Sequence, residues 1–313
     1  MSPWLHFACS WGDLFFVKRI LDLSGAAVSD DGPSVFRVRI DKGCLLISHG
    51  TEEDAAEARV PANEVEVLVL GPRLALTGAV LSTVLAHGGC ILSVDDRFRP
   101  AGMLLPIAAH HAHVERLRLQ IESTAATRDR LWAQLVRAKI HAQAALLDNK
   151  DTERLRDLAT RVEPGDPSNL EAQAAKLYWP ALLGTEFRRS DDANQMNVLL
   201  NYGYAVLRAV VARAICATGL HPALGLHHHG RLNPFALADD LMEPARPIVD
   251  TVIQTMGACV LDRSAKRTLL SAILNEVVLD GEHVRLSHAY ETTCRTLCVA
   301  LTGTGDLALF ESP

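Results

Sequence analysis

Several common signatures are missing from this chain of 313 residues, and each absence narrows the possibilities. Seven cysteines (Cys9, Cys44, Cys90, Cys216, Cys259, Cys294 and Cys298) are odd in number, scattered and without a CxxC pair. This argues against a disulfide framework and a structural zinc site. Cys294 and Cys298 lie four apart and read as small residues on one helix face. Aromatics are scarce at 5%. There is no Walker A loop, no GxSxG and no GxGxxG after a strand, which removes the common nucleotide-binding and α/β-hydrolase classes. Charged residues interrupt the apolar stretches before any reaches the roughly 18 residues of a membrane span. The first residues lack a basic leading end and contain Asp13, a poor pattern for a signal peptide. The expectation is a soluble, cytoplasmic protein with no membrane partner. No repeat or low-complexity tract is present. A formal charge of −6 argues against an indiscriminate polyanion binder, but binding depends on where positive charge is placed.

What remains is a globular composition, 49% hydrophobic and 22% charged. The first hundred residues carry strand patterns. Lys18–Leu23 alternates, Gly25–Pro33 is turn-rich, and Ser34–Asp41 has period two with Cys44–Ser48 as its hairpin mate. Glu64–Leu70 is rich in β-branched residues, Leu76–Ala86 reads as a short helix, and Cys90–Val94 as a buried strand. Pro100, Gly102 and Pro106 mark a linker. Helical periodicity then dominates, through His113–Thr127, Arg130–Leu147, Thr152–Val162, a helix capped by Asn169 and limited by Pro180, and Asn197–Thr218. Pro247–Ala258, Lys266–Val278 and His288–Leu301 follow. The expected fold is α+β: a β-rich domain at 1–98, with 1–16 an atypical extension, a linker at 99–108, and an all-α domain at 109–313.

The densest chemistry is GLHHHGRLNPFALADDLMEP, Gly225 to Pro244. His227, His228 and His229 sit in a loop. Asn233-Pro234 reads as a cap and first helical position, opening a helix that carries Asp239, Asp240 and Glu243. Acids at i,i+3 and i,i+4 repel; flanked by Phe235, Leu237, Leu241 and Met242, they need a cation, an arginine or a helix N-terminus. Only one or two consecutive histidines can face one ion. Without a metal, the same residues describe a solvated acidic helix start beside a surface loop. Glu171, in NLEAQAAKLYWPAL, falls in the first turn of its helix, where a glutamate also simply satisfies the dipole. His110, His111 and His113 read as a structural junction. Residues 113–162 carry ten basic against seven acidic side chains; arginines suit bidentate phosphate contact, although solvated helix faces look the same. The candidate DNA contacts are Arg137, Lys139, Arg231 and Arg246.

Taken in order, EAQAAKLYW at Glu171, NYGYAVLRAVVARA at Asn201–Ala214, and the stretch from His227 or His228 through GRLNPFALADDLMEPARPIVD closely resemble the metal-dependent integrase subunit of the CRISPR adaptation machinery. RPAGMLLP at Arg99–Pro106 and LWAQLVRAKIHAQAALL at Leu131–Leu147 look like the branch that accompanies the type II effector nuclease. The resemblance covers roughly residues 17–305. It implies an N-terminal β domain that pairs two copies as a homodimer, and a helical domain that holds DNA and the metal site. It also implies a small ferredoxin-like partner forming a heterohexamer, short foreign duplex DNA and a repeat array as substrates, and the effector nuclease as a further partner. On this resemblance Glu171, His228 and Glu243 are the catalytic metal ligands, with Asp240, Asp239 and His227 as secondary candidates, and Mg²⁺ or Mn²⁺ as the cofactor. The expected reaction is attack of a 3′-hydroxyl on a phosphodiester. A structure-specific metal-dependent nuclease acting on branched DNA and a non-catalytic helical scaffold are the alternatives.

Overall fold

The computed structural model describes residues 15–17, 19–24, 28–29, 32–33, 36–49, 56–148, 150–191 and 194–311. The chain divides into two compact units, Met1–Pro106 and Ile107–Pro313. The expected extension falls mostly outside the described residues; its last two positions begin the strand Phe15–Val17.

In the first unit a five-stranded sheet runs in the order Phe15–Val17, Ile20–Leu23, Val67–Leu70, Cys90–Val94 and Pro100–Leu104. Its central strands are parallel, with Ile20 opposite Val67 and Cys90 opposite Val67 on the other side. A four-stranded sheet follows the order Ala56–Pro61, Cys44–His49, Phe36–Asp41 and Leu74–Leu76. Helix α1, Gly78–Ala86, packs with both. The core takes one face of each strand at period two: Leu21 and Leu23, Phe36 and Val38, Leu45 and Ile47, with Leu68, Ile91, Val80 and Val84 from the central strands and the helix. The strand Pro100–Leu104 replaces the expected linker. Pro100 occupies the first position of an edge strand, where its missing N–H costs no ladder bond.

The second unit is helical: α2 His113–Glu122, α3 Ala125–Ala145, α4 Lys150–Thr160, α5 Leu170–Leu183, α6 Gln195–Ala217, α7 Ala236–Leu241, α8 Arg246–Met256, α9 Arg263–Ile273 and α10 Leu286–Ala300. It is not all-α. Glu276–Leu279 and Glu282–Arg285 form an antiparallel hairpin, so the helix expected to reach Val278 ends at Ile273. The hairpin turns at Asp280-Gly281, both at positive φ, the conformation a tight turn needs. Pro180 also fails to stop its helix; α5 runs on to Leu183 and buries Leu182.

Helix α6 is the unit's axis. It meets the length and apolarity of a membrane span (mean hydropathy 1.4), against the expectation that no stretch would, but 78% of its most apolar window is buried inside the fold. Leu199, Leu200, Val206, Leu207, Val211 and Ile215 are fully buried, each stabilising by roughly 1.5–3 kcal/mol. Helix α8 crosses α6 at Gly203, where an added Cβ would lie 2.5 Å from Val249 Cγ1. Gly203→Val should therefore cost about 1–3 kcal/mol through overpacking, read as a lower urea midpoint.

Candidate functional site

The site is assembled within the second unit from α3, α5, the loop before α7, α7 itself and the turn that follows. Glu171 is placed by Asp166. The Asp166 carboxylate accepts from Leu170 N–H (2.8 Å) and Glu171 N–H (3.0 Å), capping α5. Asn169, the expected cap, is instead in the left-handed region at φ 51° and makes no side-chain cap bond.

The three acids expected on one helix do not stack. Helix α7 begins at Ala236 and ends at Leu241, and Glu243 lies in a 3₁₀ turn, Glu243–Ala245. Asn233 does not cap the helix; its side chain accepts from Phe235 N–H and donates to Asp239 (2.8 Å). The break turns the three carboxylates apart, and each finds its own partners. Asp239 takes Arg208 Nε at 2.6 Å. Asp240, fully buried, accepts from the backbone N–H groups of Leu226 (2.6 Å), His227 (3.1 Å) and His228 (3.2 Å) and meets His228 Nδ1 at 2.5 Å. Glu243, 4% exposed, faces Arg246 Nε at 2.9 Å and Lys139 Nζ at 2.5 Å.

Lys139 also reaches Glu171 Oε1 at 2.5 Å. Glu171 and Glu243, 72 positions apart and on different elements, thus share the ammonium of a lysine that is only 7% exposed. A buried carboxylate beside a second one without a counter-cation would be strongly unfavourable. Burial alone would raise the Glu243 carboxyl, but the neighbouring Lys139 and Arg246 charges outweigh it and hold its pKa at about 2. Burial alone would lower the Lys139 ammonium; Glu243 and Glu171 reverse that and raise it.

His228 is braced. The hydrogen bond that its Nδ1–H donates to Asp240 raises its pKa against the opposing pull of burial. With Nδ1 engaged, Nε2 is the nitrogen left free to ligate, the arrangement in which a carboxylate orients a metal-binding imidazole. His227 stacks on Trp132 of α3, centroids 4.3 Å apart and planes within 5°, while His228 meets the same indole edge-on at 5.8 Å. The tryptophan therefore separates the roles of neighbouring histidines: one ring is packed, the other points its edge onward. Gly225 is required beneath this loop, since a Cβ there would lie 2.6 Å from the His228 carbonyl oxygen and 2.8 Å from Asp240 Oδ2.

Among the described residues no three His, Cys, Asp or Glu side chains close on one ion. The donor set nevertheless suits a divalent ion of the Mg²⁺ or Mn²⁺ class: two carboxylates, one imidazole, and Glu243 Oε2, which is buried and receives no aligned hydrogen bond although Lys139 Nζ is 2.5 Å away.

The expected DNA contacts divide. Arg231 is exposed on the histidine loop. Arg137 donates to the Val162 carbonyl at 2.6 Å. Lys139 and Arg246 turn inward: the first is buried between carboxylates, and the second pairs with Glu243 and lies 4.7 Å over the Tyr204 ring. Neither offers its charge to a phosphate on the surface.

A second buried acid lies close by. Asp250, fully buried, accepts from Tyr178 Oη at 2.8 Å and from Tyr204 Oη. Burial raises its pKa to about 6, more than the two hydroxyls lower it. A carboxyl raised in the folded state supports stability below its unfolded value, near 3.8, and loses that support as pH climbs through about 6. Asp250→Asn stays neutral throughout. Its stability relative to the unsubstituted protein should rise by about 3 kcal/mol between pH 4 and pH 7, measured by urea unfolding at each pH.

A strand-rich unit followed by a helical unit with this architecture is the fold of a solved casposase and of solved Cas1 proteins. A casposase bound to integration product is similar over 92% of this chain and 92% of its own, with a TM-score of 0.74 at 20% identity. A Cas1 protein from Thermotoga maritima is similar over 93% of this chain and 99% of its own, with a TM-score of 0.67 at 15% identity. At such identities the likeness speaks for the fold alone. The sequence goes further. The family described as CRISPR associated protein Cas1 matches residues 34–258. CRISPR-associated endonuclease Cas1 of Neisseria meningitidis serogroup C (strain 8013) is 39% identical over 257 residues, 79% of this chain and 83% of its own. A Pyrobaculum aerophilum relative of the same description is 27% identical, over 85% of this chain and 96% of its own. The chain belongs to the Cas1 family of CRISPR adaptation integrases.

Proposed function

We propose that this protein joins the 3′ ends of short duplex DNA into a CRISPR repeat array. The observation that carries the reading is the convergence of Glu171 and Glu243 on one cation beside a histidine braced by Asp240. Glu171, Glu243 and His228 through Nε2 would hold a divalent ion, Mg²⁺ or Mn²⁺. When bound, that ion polarises the phosphoryl oxygen and favours the ionised hydroxyl nucleophile.

The protein's own side chains supply the rest. Asp240 fixes the imidazole through Nδ1, and Trp132 fixes the ring beside it, so little reorganisation is needed at the moment of reaction. Asp166 and the α5 first turn hold Glu171. In the chemical step the incoming 3′-oxygen forms a bond to phosphorus, the target's bond between phosphorus and its 3′-oxygen breaks, and the released 3′-oxygen takes up a proton. One phosphodiester replaces another, so no serine or tyrosine nucleophile is required. Arg231 and other exposed arginines would grip the backbone without reading bases, and affinity would fall steeply with salt.

Complexes formed by structural relatives support these partners. They include a complex of a Cas1 from the TtCas1 series with DNA and Cas6-RT-Cas1–Cas2 assemblies. We assign double-stranded DNA and a small Cas2-type partner to this chain on that basis. A homodimer formed through the strand-rich unit, a heterohexamer with a ferredoxin-like Cas2 and a cytoplasmic location belong to the same reading. The same site could direct water in place of a 3′-hydroxyl and cut branched DNA.

Labelled short duplex DNA, a repeat-containing plasmid and the protein should be combined with and without the small partner, in EDTA, Mg²⁺ or Mn²⁺. Metal-dependent transfer of label into the plasmid is expected, with Mn²⁺ at least as effective as Mg²⁺. Metal-dependent cutting with no joined product would establish the hydrolytic activity instead.

A further inference from the structure

Lys139 is unusual for its surroundings. It lies on the face of α3 that carries Leu135, Val136, Ile140 and Gln143, all buried, and its ammonium is 2.5 Å from an oxygen of each glutamate. Those oxygens come from α5 and from the 3₁₀ turn, so the ammonium joins three elements. One end of the arrangement is closed and the other is not. The Glu243 side chain is 6% exposed, whereas that of Glu171 is 32% exposed. An ion arriving from solvent therefore meets Glu171 first and finds both carboxylates already paired with Lys139.

We propose that Lys139 is the resident counter-cation of the carboxylate pair, and that a divalent ion must displace its ammonium to bind. The inference rests on the metal-binding reading above and deepens it. The ammonium holds the pair together without metal, because two carboxylates so close, one of them buried, would repel and open. It also weakens the site for metal, because the arriving ion competes with a positive charge in contact with both of its ligands. Arg246 remains on the other oxygen of Glu243, so displacement does not leave that residue unpaired. Lys139 is thus a positioning residue that trades metal affinity for an ordered metal-free site.

The test is Mn²⁺ titration followed by electron paramagnetic resonance, alongside thermal unfolding with and without Mn²⁺, on the full chain and on Lys139→Met, Lys139→Gln, Lys139→Arg and Glu243→Gln. Neutral substitutions should lower the metal-free unfolding temperature, tighten Mn²⁺ binding tenfold or more, and enlarge the Mn²⁺-induced rise in that temperature. Lys139→Arg should not tighten binding. In the unsubstituted protein, lysine-selective NMR should show one Cε resonance shifting on addition of diamagnetic Mg²⁺, a readout that does not depend on any variant folding. Unchanged or weaker Mn²⁺ binding in both neutral variants, or no shifted lysine at saturating Mg²⁺, would overturn the displacement while leaving the metal site intact. Absence of any Glu243-dependent Mn²⁺ binding in the unsubstituted protein would instead remove the metal-binding reading and this inference with it.

Discussion

Glu171→Gln should reduce DNA joining by about 10²–10³-fold or more, since it withdraws one negative ligand from the ion on which transition-state charge would be stabilised. It should do so with little loss of stability, because the Glu171 side chain is one-third exposed and Lys139 keeps Glu243 as a partner. Glu243→Gln should abolish joining to a similar degree at a larger structural cost. That residue is buried between Lys139 and Arg246, and neutralising it leaves the buried Lys139 and the partly buried Arg246 with one fewer anion, a loss of about 3 kcal/mol or more. The pair is informative because the two substitutions share a functional effect and differ in a structural one. Joining and denaturant midpoints should be measured together. If Glu171→Gln retained most of its joining activity while remaining folded, the assignment of the carboxylate pair would be wrong.

The second large effect belongs to Asp240. Its carboxylate receives three consecutive backbone N–H groups and the His228 imidazole while being fully excluded from solvent. Asp240→Ala leaves those N–H groups without an acceptor and the histidine loop without its anchor. The expected cost is about 3–5 kcal/mol of stability, with joining reduced at least as far as in His228→Ala. Asp240→Asn retains an acceptor oxygen for the backbone and should recover part of the stability. It should recover less of the activity, because a neutral amide no longer orients the imidazole by charge. A stability loss below about 1 kcal/mol for Asp240→Ala, read by urea unfolding, would mean that the loop is held by other contacts. A loss of the expected size would instead mark Asp240 as the loop's anchor in this chain rather than a metal ligand, since both of its oxygens are engaged.

Much of this was legible in the chain. Period-two alternation at Ser34–Ser48 located the central hairpin, and the apolar run near Asn197–Thr218 located α6, because a half-buried strand and a buried helix each impose a repeat on neighbouring residues. Strands with weak patterns were not legible. Ala56–Pro61 alternates mainly through small alanines and ends in proline, Leu74–Leu76 is only three residues long, and Pro100–Leu104 looks like a linker because proline and glycine are tolerated at a sheet edge. Within the site, Glu171, His228 and Glu243 were indicated by resemblance to a family and not by any local rule. Lys139 was read as a phosphate contact because charge normally means surface. The available signal was its place three residues after Val136 and four after Leu135, on the apolar face of α3. Trp132 and the Asp250–Tyr178–Tyr204 group carried no local mark at all.

The order of residues determined which segments could become strands and helices and supplied a set of acids, histidines and arginines matching one family. It left every charge with several possible partners. Only packing decided among them. The end of α7 at Leu241 turned three neighbouring acids toward Arg208, the histidine loop and Lys139. The physical reason is that a buried charge is tolerable only beside its complement, and apart from Arg246 beside Glu243 the partners named here came from positions 12 to 104 residues away, a separation on which no local pattern can report.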